Sequence, residues 1–297
     1  MKRATLIVNP FASNVTEERL AAVEAELRRG VELDVTLTER RDHATRLAAA
    51  ATAADVVVVY GGDGLLNEVL NGLHADVPVG VLPGGGTNVV ARAVGMPADA
   101  VEAARALLDA EPRRITVGRV NERRFAFAAG LGFDAELVRR VDARGRRDDG
   151  RRPGDAVFTW EAVKLLAGRR GRYEPALEIE GFGRAAFALV ANADPYSYAG
   201  GRPLHVAPKA RFELGLDLVA PQRVGATAIP RLLRYLVRGT GQERAPDLFY
   251  GHDLDRIAIR CDRPLALQVD GEDLGDVESA VFEAEREAVS LLVPVAT

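Results

Sequence analysis

The sequence has very few of the residues that build disulfides or metal centres. Its 297 residues include one cysteine, Cys261, and four histidines. One cysteine cannot form a disulfide within the chain, and these few cysteines and histidines give no zinc-binding spacing. The composition therefore excludes a disulfide framework and a zinc motif, and we expect Cys261 to be a buried strand residue.

Long apolar runs and a strong charge imbalance are also absent. The sequence has no apolar stretch of about eighteen residues, the length needed to span a bilayer, and the residues before Asn9 show no signal-peptide pattern. The 39 basic and 43 acidic residues give a net charge of −4, which argues against a nucleic-acid binder. With 47% hydrophobic residues, the chain can bury the core of one large or two ordinary domains. We expect a cytoplasmic protein that binds no nucleic acid.

Glycine is concentrated just after the most strand-like run of the chain. Residues 56–60 (VVVVY) predict a strand that is buried on both faces, as in the middle of a parallel sheet. Residues 61–64 (GGDG) predict a turn that can adopt left-handed conformations and approach a ligand closely, and apolar residues at helical spacing follow. Such a turn presents free N–H groups to an anion, and Asp63 could hold Mg²⁺ against a phosphate.

A second glycine turn follows the next predicted strand. Residues 78–82 form a short apolar run, residues 83–88 (PGGGTN) form the turn, and residues 89–94 read as a helix. A single glycine turn is also explained as a plain tight connection. Two such turns on successive parallel strands lie side by side at the carboxyl edge of the sheet, where open α/β folds bind ligands. We therefore predict a phosphate-binding site at this edge.

The order of strand and helix patterns predicts two domains. Up to about residue 118, strands and helices alternate, which is typical of a doubly wound α/β domain. Residues 119–297 contain short strands separated by Gly or Pro turns, which predicts a mainly antiparallel second domain. The pattern of residues 255–260 and 265–269 predicts two strands there. A final strand near residues 288–294 is expected to return to the first domain.

Two polar segments have both a structural and a chemical interpretation. Asn9 and Ser13 follow the first strand and could donate to a ligand, although they also suit turns and caps. Asp270-Gly271-Glu272 has the pattern of a hairpin turn. A carboxylate within hydrogen-bond reach of a hydroxyl can also accept its proton during attack on phosphorus.

Three segments together resemble a known family. Residues 61–73 (GGDGLLNEVLNGL), 82–92 (LPGGGTNVVAR) and 268–272 (QVDGE) are similar to the diacylglycerol kinase catalytic family, which includes bacterial lipid kinases and sphingosine kinases. The match extends to residues 130–134 (GLGFD) and spans nearly the whole chain. The resemblance implies a phosphofructokinase/NAD-kinase-like nucleotide domain and a β-rich lipid domain. It implies transfer of the γ-phosphoryl group of ATP, with Mg²⁺, to a lipid hydroxyl in a cleft between the domains.

The resemblance also implies roles for individual residues. Glu272 is the expected proton acceptor, and Asp270 is expected to join Asp63 in a magnesium and water network, although which of Asp270 and Glu272 is the base stays open. The expected nucleotide contacts are Asn9, Pro10, Phe11, Ala12, Ser13, Thr38, Gly61, Gly62, Asp63, Gly64, Leu65, Leu66, Asn67, Gly85, Gly86, Thr87 and Asn88.

Four positions depart from the family pattern and keep alternatives open. Leu65 and Gly86 each replace a threonine, and Val89 replaces an aspartate expected near the metal. Leu214 replaces an aspartate of a structural Mg²⁺ site, so that site is not expected here. The main expectation is a diacylglycerol kinase or related lipid kinase. A sphingoid-base kinase, an NAD kinase-like enzyme and a catalytically impaired regulator are the alternatives, and a homodimer is left open.

Two basic segments suggest contact with a membrane. Residues 139–152 contain seven arginines, namely Arg139, Arg140, Arg144, Arg146, Arg147, Arg151 and Arg152. Charge runs are usually solvated loops, but each cation near an anionic leaflet could add about 1 kcal/mol of attraction. Residues 229–238 predict an amphipathic helix, which packs more often on its own domain than on lipid. We expect peripheral contact with an anionic membrane.

Overall fold

The computed structural model describes residues 3–74, 77–145, 155–168, 170–199 and 201–295. The chain forms two compact units. The first unit comprises Met1–Thr116 and Glu287–Thr297, and the second comprises Val117–Arg286.

The first unit is a parallel sheet with helical connections. Its elements are β1 (Arg3–Val8), α1 (Glu17–Leu27), β2 (Glu32–Leu37), α2 (His43–Ala50), β3 (Val56–Gly61), α3 (Asp63–Gly72), β4 (Val79–Pro83), α4 (Val89–Ala93) and α5 (Ala100–Leu108). The strand order is β2-β1-β3-β4, and all of these pairs are parallel. Leu291, near the end of the chain, pairs in parallel with Val79 of β4. Every residue of β3 is buried, as its unbroken apolar run predicts.

A buried glutamate fixes α2 against α3. Asp42, the residue before α2, has a left-handed conformation, and its side chain makes no hydrogen bond that caps the helix. Glu68 of α3 supplies the cap instead, because its Oε2 accepts a hydrogen bond from the N–H of Ala44 at 3.0 Å. A Cβ on Gly72 would collide with the carbonyl oxygen of Thr45, so the two helices approach backbone to backbone. These contacts hold α3, the helix that opens with Asp63, in a fixed position.

The second unit is mainly antiparallel. The elements from β5 onward are β5 (Glu111–Val120), β6 (Arg123–Phe125), β7 (Ala128–Leu131), α6 (Phe133–Asp142), α7 (Asp155–Gly168), β8 (Leu177–Ile179), β9 (Gly183–Ala185), β10 (Ala188–Ala191), β11 (Ser197–Ala199), β12 (Arg202–Leu204), β13 (Leu216–Pro221), α8 (Ile229–Arg238), β14 (Leu248–Leu254), β15 (Arg256–Val269) and β16 (Glu272–Val293). Residues 111–116 of β5 and residues 287–293 of β16 belong to the first unit, and the rest of these elements form the second. The strand order is β14-β13-β10-β7-β15-β16, and these pairs are antiparallel. Phe125 and Phe282 meet edge to face in its core, with ring centroids 6.4 Å apart.

The strands near the end of the chain are longer than predicted. The two strands expected at residues 255–260 and 265–269 form the single strand β15, and residues 272–293 form β16. The pairing of β15 with β16 shifts register between Arg260 and Leu265, which marks a bulge. Pro264 lies in this bulge and suggested a turn, because proline in a sheet is confined to edges and bulges. Cys261 lies in the same segment and is half-buried. No described helix is both long and apolar enough to cross a membrane.

Candidate active site

The two glycine turns are in direct backbone contact. We call residues 61–64 the first glycine turn and residues 83–88 the second. The carbonyl oxygen of Gly61 accepts hydrogen bonds from the N–H groups of Gly84 at 2.7 Å and Gly85 at 3.1 Å. A Cβ on Gly85 would lie 2.7 Å from the Cα of Gly62, which is too close for any side chain. The predicted placement of both turns side by side is therefore confirmed.

The glycines of the two turns allow the turns to approach each other closely, and none of them has a left-handed backbone conformation in the described residues. Gly62 has a φ of −99°, and no glycine of either turn has a positive φ among the described residues. The one left-handed residue in the second glycine turn is Asn88, with a φ of 51°. The predicted left-handed conformation of the first glycine turn is therefore wrong. A Cβ on Gly61 would lie 2.6 Å from Cδ2 of Leu65, so lack of space favours glycine at that position.

Asp63 links the first glycine turn to the helix that follows the second. Its Oδ2 accepts a hydrogen bond from the N–H of Val89 at 3.0 Å, and its Oδ1 accepts one from Val90 at 3.2 Å. Burial raises the pKa of the Asp63 carboxyl, and these backbone hydrogen bonds oppose that rise. Asp63 thus caps α4, and the first N–H groups of α4 are already bound.

Two asparagines hold the second glycine turn. Asn88 Oδ1 accepts a hydrogen bond from the N–H of Gly85 at 2.9 Å, and its Nδ2 donates to the carbonyl oxygen of Gly85 at 2.8 Å. Asn14 donates from Nδ2 to the same carbonyl at 2.6 Å and from its backbone N–H to Gly84 at 2.9 Å. Asn14 was not among the predicted contacts, although it is a third polar residue in the loop after β1.

Part of the second glycine turn remains open to a ligand. Within the described part of the chain, the backbone N–H groups of Gly86 and Thr87 donate to no acceptor. A Cβ on Gly86 would meet no other atom within 4 Å. Two N–H donors without a protein acceptor, one of them on a glycine with open space at its Cβ position, could bind phosphate oxygens.

The predicted contacts in the loop after β1 lie near these turns, but their side chains have different roles. Asn9 donates from its N–H to the carbonyl oxygen of Tyr60 at 3.1 Å, and its Oδ1 accepts from the N–H of Phe11 at 3.0 Å. Asn9 is therefore a turn former here, as the structural interpretation predicted. The Phe11 side chain is 64% exposed and available for contact. Thr38 is buried, and its N–H donates to Val8 at 2.8 Å.

Three other predicted contacts belong to the core of the first unit. The side chains of Leu65, Leu66 and Asn67 are buried in α3. Asn67 also accepts hydrogen bonds from the Nδ2 of Asn71 through its carbonyl oxygen and its Oδ1. These side chains cannot contact a nucleotide that binds at the surface, so only their backbone atoms are available to one.

The Asp270-Gly271 pair forms a two-residue hairpin turn between β15 and β16. Val269 pairs with Glu272 across the turn. Asp270 and Gly271 have φ values of 47° and 79°, as the tightest hairpin turns with positive φ at both central residues require. The hairpin predicted from the sequence pattern is therefore present.

The Asp270 carboxylate binds the backbone N–H groups of residues 126–128. Its Oδ2 accepts from the N–H of Ala126 at 2.6 Å, and its Oδ1 accepts from Phe127 at 3.0 Å and from Ala128 at 3.2 Å. The residue is 4% exposed. A carboxylate that satisfies three buried N–H groups stabilises the segment between β6 and β7, since unpaired buried donors are costly.

Glu272 is in a different position from Asp270. Its side chain is 18% exposed and lies beside Arg123, with Oε2 3.6 Å from Nη2. This distance exceeds a good hydrogen bond and defines a loose ion pair. Of the two candidate bases, Asp270 is the one whose carboxylate is committed to three backbone donors.

The predicted magnesium ligands do not fit a preformed metal site. Asp63 and Asp270 both direct their oxygens at backbone N–H groups. Among the described residues, no group of three or more His, Cys, Asp or Glu side chains could hold a metal ion. We therefore assign no reaction step to a protein-held Mg²⁺.

Asp217, a buried acid near Leu214, has hydrogen-bond partners within the protein. Asp217 is fully buried and accepts from Tyr250 Oη at 3.1 Å and from the N–H of Asp253 at 3.1 Å. Its Oδ1 also lies 2.8 Å from Nδ1 of His252. Protein groups therefore contact both carboxylate oxygens of Asp217.

The basic segment is partly neutralised within the protein. Arg139 forms ion pairs with Asp273 at 2.8 Å and Asp276 at 2.6 Å. Arg140 pairs with Glu136, and Arg144 pairs with Glu161. The remaining four arginines, Arg146, Arg147, Arg151 and Arg152, lie outside the described residues. The described arginines therefore give little support for a membrane-facing role.

Helix α8 exposes a separate apolar and basic face. Leu233 is 53% exposed and Val237 is 61% exposed, and Arg234 and Arg238 are exposed beside them. Other apolar residues of the predicted stripe, including Leu232 and Leu236, pack against clusters of the second unit. The helix therefore packs on its own unit through one side and leaves two apolar residues unburied on the other.

The comparisons with known proteins define the family. Residues 3–120 match the profile of the diacylglycerol kinase catalytic domain. A YegS-like lipid kinase named in Pseudomonas fluorescens is 31% identical over 282 residues, which cover 92% of this chain and 90% of that protein. A diacylglycerol kinase of Bacillus subtilis is 36% identical over 152 residues, which cover 48% of this chain and 50% of that protein. The chain belongs to the diacylglycerol kinase catalytic family, and its enzyme class is kinase.

Solved structures share the fold. A structure from Bacillus anthracis str. Sterne, described as a candidate diacylglycerol kinase, has a TM-score of 0.78 at 21% identity and covers 98% of this chain and 95% of that chain. An NAD kinase from Archaeoglobus fulgidus, solved in complex with ATP, has a TM-score of 0.52 at 14% identity, with coverage of 98% and 94%. The predicted fold class is confirmed.

Proposed function

We propose that this kinase transfers the γ-phosphoryl group of ATP to the hydroxyl of a lipid alcohol, with diacylglycerol as the first acceptor to test. The observation that carries this proposal is the pair of glycine turns, packed without side chains between them and with the N–H groups of Gly86 and Thr87 open. The names of the relatives, diacylglycerol kinase and lipid kinase, support the acceptor class.

ATP is the proposed phosphoryl donor. Its phosphates would bind the open N–H groups of the second glycine turn, which are suited to anions because a backbone N–H group carries a partial positive charge and donates a hydrogen bond. The exposed ring of Phe11 offers an apolar face to the base. The ATP complex of the structurally similar NAD kinase supports nucleotide use by this fold.

Glu272 is the proposed proton acceptor. A hydroxyl that attacks phosphorus loses its proton, and a carboxylate within hydrogen-bond reach accepts it. Glu272 is preferred over Asp270 because three backbone N–H groups already occupy the oxygens of Asp270. Mg²⁺ chemistry, if the enzyme uses it, would neutralise charge on the phosphates.

Peripheral contact with an anionic membrane is the proposed route to the lipid. The exposed side of α8 combines Leu233 and Val237 with Arg234 and Arg238. Apolar residues beside cations suit the boundary between acyl chains and anionic headgroups. This proposal moves the membrane contact from residues 139–152 to α8.

A labelling experiment tests the proposed function. The protein is incubated with γ-labelled ATP and vesicles that contain diacylglycerol, with NAD⁺ in a parallel reaction, and the labelled product is identified. We expect label in phosphatidic acid and none in NADP⁺. Label in NADP⁺, or consumption of ATP without any labelled lipid, would contradict the proposal. The Glu272→Gln variant serves as the control for transfer that does not depend on the proposed base.

A further inference from the structure

One glutamine joins two sequence motifs that lie far apart in the chain. Gln268 donates from Nε2 to Oδ2 of Asp134 at 2.6 Å, and its Oε1 accepts from the N–H of Gly271 at 2.8 Å. Asp134 ends the GLGFD motif, and Gly271 lies in the hairpin turn before Glu272. A backbone N–H can only donate and a carboxylate can only accept, so the orientation of the Gln268 amide is chemically determined.

The far end of this bridge is held by a further hydrogen bond. Asp134 is half-buried, and Tyr196 donates from Oη to the same Oδ2 at 2.7 Å. Burial raises the pKa of the Asp134 carboxyl, while the hydrogen bonds from Tyr196 and Gln268 favour its charged form. A Cβ on Gly130 would collide with Asp134 and come within 3.0 Å of Gln268 Nε2. Glycine at this position therefore leaves the space in which the two side chains meet.

The near end of the bridge completes the support of the hairpin turn. Asp270 is held by its own carboxylate and by its N–H, which donates to Ala128 at 2.8 Å. Gly271, the second residue of the turn, is held by Gln268. A non-glycine residue with positive φ, such as Asp270, persists only where the surroundings enforce that conformation.

We infer that Gln268 is a positioning residue for Glu272. Gln268 connects the hairpin turn to the hydrogen-bonded Asp134–Tyr196 pair and so fixes the start of β16, from which the Glu272 side chain projects. This inference rests on the proposed role of Glu272 as proton acceptor. Gln268 itself contacts neither Glu272 nor a substrate through any of the hydrogen bonds described, so its effect is on geometry.

Replacement by leucine removes both ends of the bridge. In Gln268→Leu, hydrogen exchange at the Gly271 amide, followed by NMR, should become at least about tenfold faster, because the hydrogen bond that protects it is lost. The turnover of diacylglycerol should fall by about 10–100-fold, while the affinity for ATP changes by less than about twofold.

A matched control separates positioning from the loss of any buried amide. Gln242 is also buried in the second unit, and its Nε2 donates to the carbonyl oxygens of His205 and Tyr235. Gln242→Leu should lower the melting temperature to a similar extent and leave turnover and Gly271 exchange near those of the wild type. Equal losses of turnover in both variants at temperatures below melting would overturn the inference.

A conservative replacement gives a pH-dependent rescue. In Gln268→Glu, the new carboxylate can accept from Gly271, but it faces Asp134 with like charge until one of the two groups binds a proton. The ratio of variant to wild-type turnover should therefore rise by about tenfold as the pH falls from about 8 to about 6. Taking the ratio cancels the titration of the proton acceptor, which is common to both proteins. A ratio that does not change with pH would contradict the positioning role.

The exchange measurement keeps this inference distinct from the proposed function. If the wild-type protein labels no lipid, the proposed function fails and the role assigned to Gln268 falls with it. Gly271 exchange would still decide whether the bridge exists in solution. If the wild type labels lipid but Gly271 exchanges equally fast in wild type and Gln268→Leu, the bridge is absent and the inference is wrong while the function stands.

Discussion

The Asp63 carboxylate accepts a hydrogen bond from the backbone N–H of Val89 and does not depend on the Val89 side chain. The Oδ2 of Asp63 lies 3.0 Å from the nitrogen of Val89, while the Val89 side chain is buried. Val89 stands where the family signature has an aspartate, and the residue before α4 is the left-handed Asn88. The substitution therefore leaves the contact between Asp63 and α4 intact, because that contact depends on an N–H group which every residue except proline provides.

This relationship predicts that Asp63 maintains the nucleotide site through α4. Asp63→Ala removes a half-buried helix cap and should lower the affinity for ATP at least about tenfold, with a stability loss of about 1–2 kcal/mol. Asp63→Asn keeps one acceptor oxygen and should have a smaller effect on both. Isothermal titration calorimetry with ATP, with and without Mg²⁺, measures the affinities.

The control for this prediction is a second cap in the same unit. Asp99 caps α5 through hydrogen bonds from the N–H groups of Val101 at 2.9 Å and Glu102 at 3.1 Å. Asp99→Ala should lower stability by about 1 kcal/mol and leave ATP affinity unchanged. A requirement for much more Mg²⁺ in Asp63→Asn, with unchanged affinity for metal-free ATP, would restore the metal-ligand role that the sequence suggested.

Two neighbouring glycines should respond differently to alanine. Gly85→Ala would place its Cβ 2.7 Å from the Cα of Gly62, so the turns must separate, and both the melting temperature and ATP affinity should fall. Gly86→Ala meets no protein atom within 4 Å and should leave the melting temperature unchanged. If Gly86 borders the phosphates, ATP affinity should nonetheless fall about tenfold. Unchanged ATP affinity in Gly86→Ala would remove this turn from the nucleotide site.

Local patterns were sufficient to predict the elements that build the site. The unbroken apolar run predicted β3, and the glycine pattern predicted that the two turns lie side by side after β3 and β4. The phosphate site at these turns stays a prediction. Helix α8 has the bounds predicted from its amphipathic period. These features depend on residues close together in sequence, which determine backbone conformation and the face that is buried.

Contacts between distant segments could not be predicted in the same way. Asp270 binds Ala126, and Gln268 binds Asp134, across more than a hundred residues. The family resemblance suggested that Asp270 holds metal, but only the folded chain reveals which N–H groups surround its carboxylate. The bulge in β15 was missed for a related reason, since the segment with Pro264 reads locally as a turn and is extended by its pairing with β16.

Asp270 and Glu272 should have separable roles. Glu272→Gln keeps size and most hydrogen bonding but cannot accept a proton at neutral pH, so turnover should fall about 10²–10⁴-fold with nearly unchanged ATP affinity and melting temperature. In Asp270→Asn, the side-chain NH₂ group would face backbone N–H groups, so two donors would meet without an acceptor. This substitution should mainly lower stability, by about 3 kcal/mol. Steady-state kinetics and thermal unfolding measure the two effects.

Glu278→Gln is the matched control for Glu272→Gln, because Glu278 is an exposed glutamate on the same strand, β16. It should alter neither turnover nor stability. If Glu272→Gln retained more than about half of wild-type turnover with a lipid acceptor, the proton-acceptor assignment would pass to Asp270. A stable Asp270→Asn protein with a large loss of turnover would support the same reassignment.

The exposed side of α8 predicts binding to anionic vesicles. Leu233→Ser with Val237→Ser removes apolar area that can enter the bilayer boundary and should weaken vesicle binding about tenfold. Arg234→Ser with Arg238→Ser should remove about 1 kcal/mol per cation and most of the salt dependence. Binding is measured by sedimentation with phosphatidylglycerol or phosphatidylcholine vesicles at low and physiological salt.

The wild type should prefer phosphatidylglycerol vesicles, and this preference should be lost in the double arginine variant because phosphatidylcholine carries no net charge to attract. Leu37 of the first unit is 46% exposed and provides the control, since Leu37→Ser removes an exposed apolar side chain that lies outside α8. That variant should sediment like the wild type. Equal sedimentation of the wild type and both α8 variants would show that α8 is an ordinary solvent-facing helix. The lipid contact would then have to be sought elsewhere in the chain.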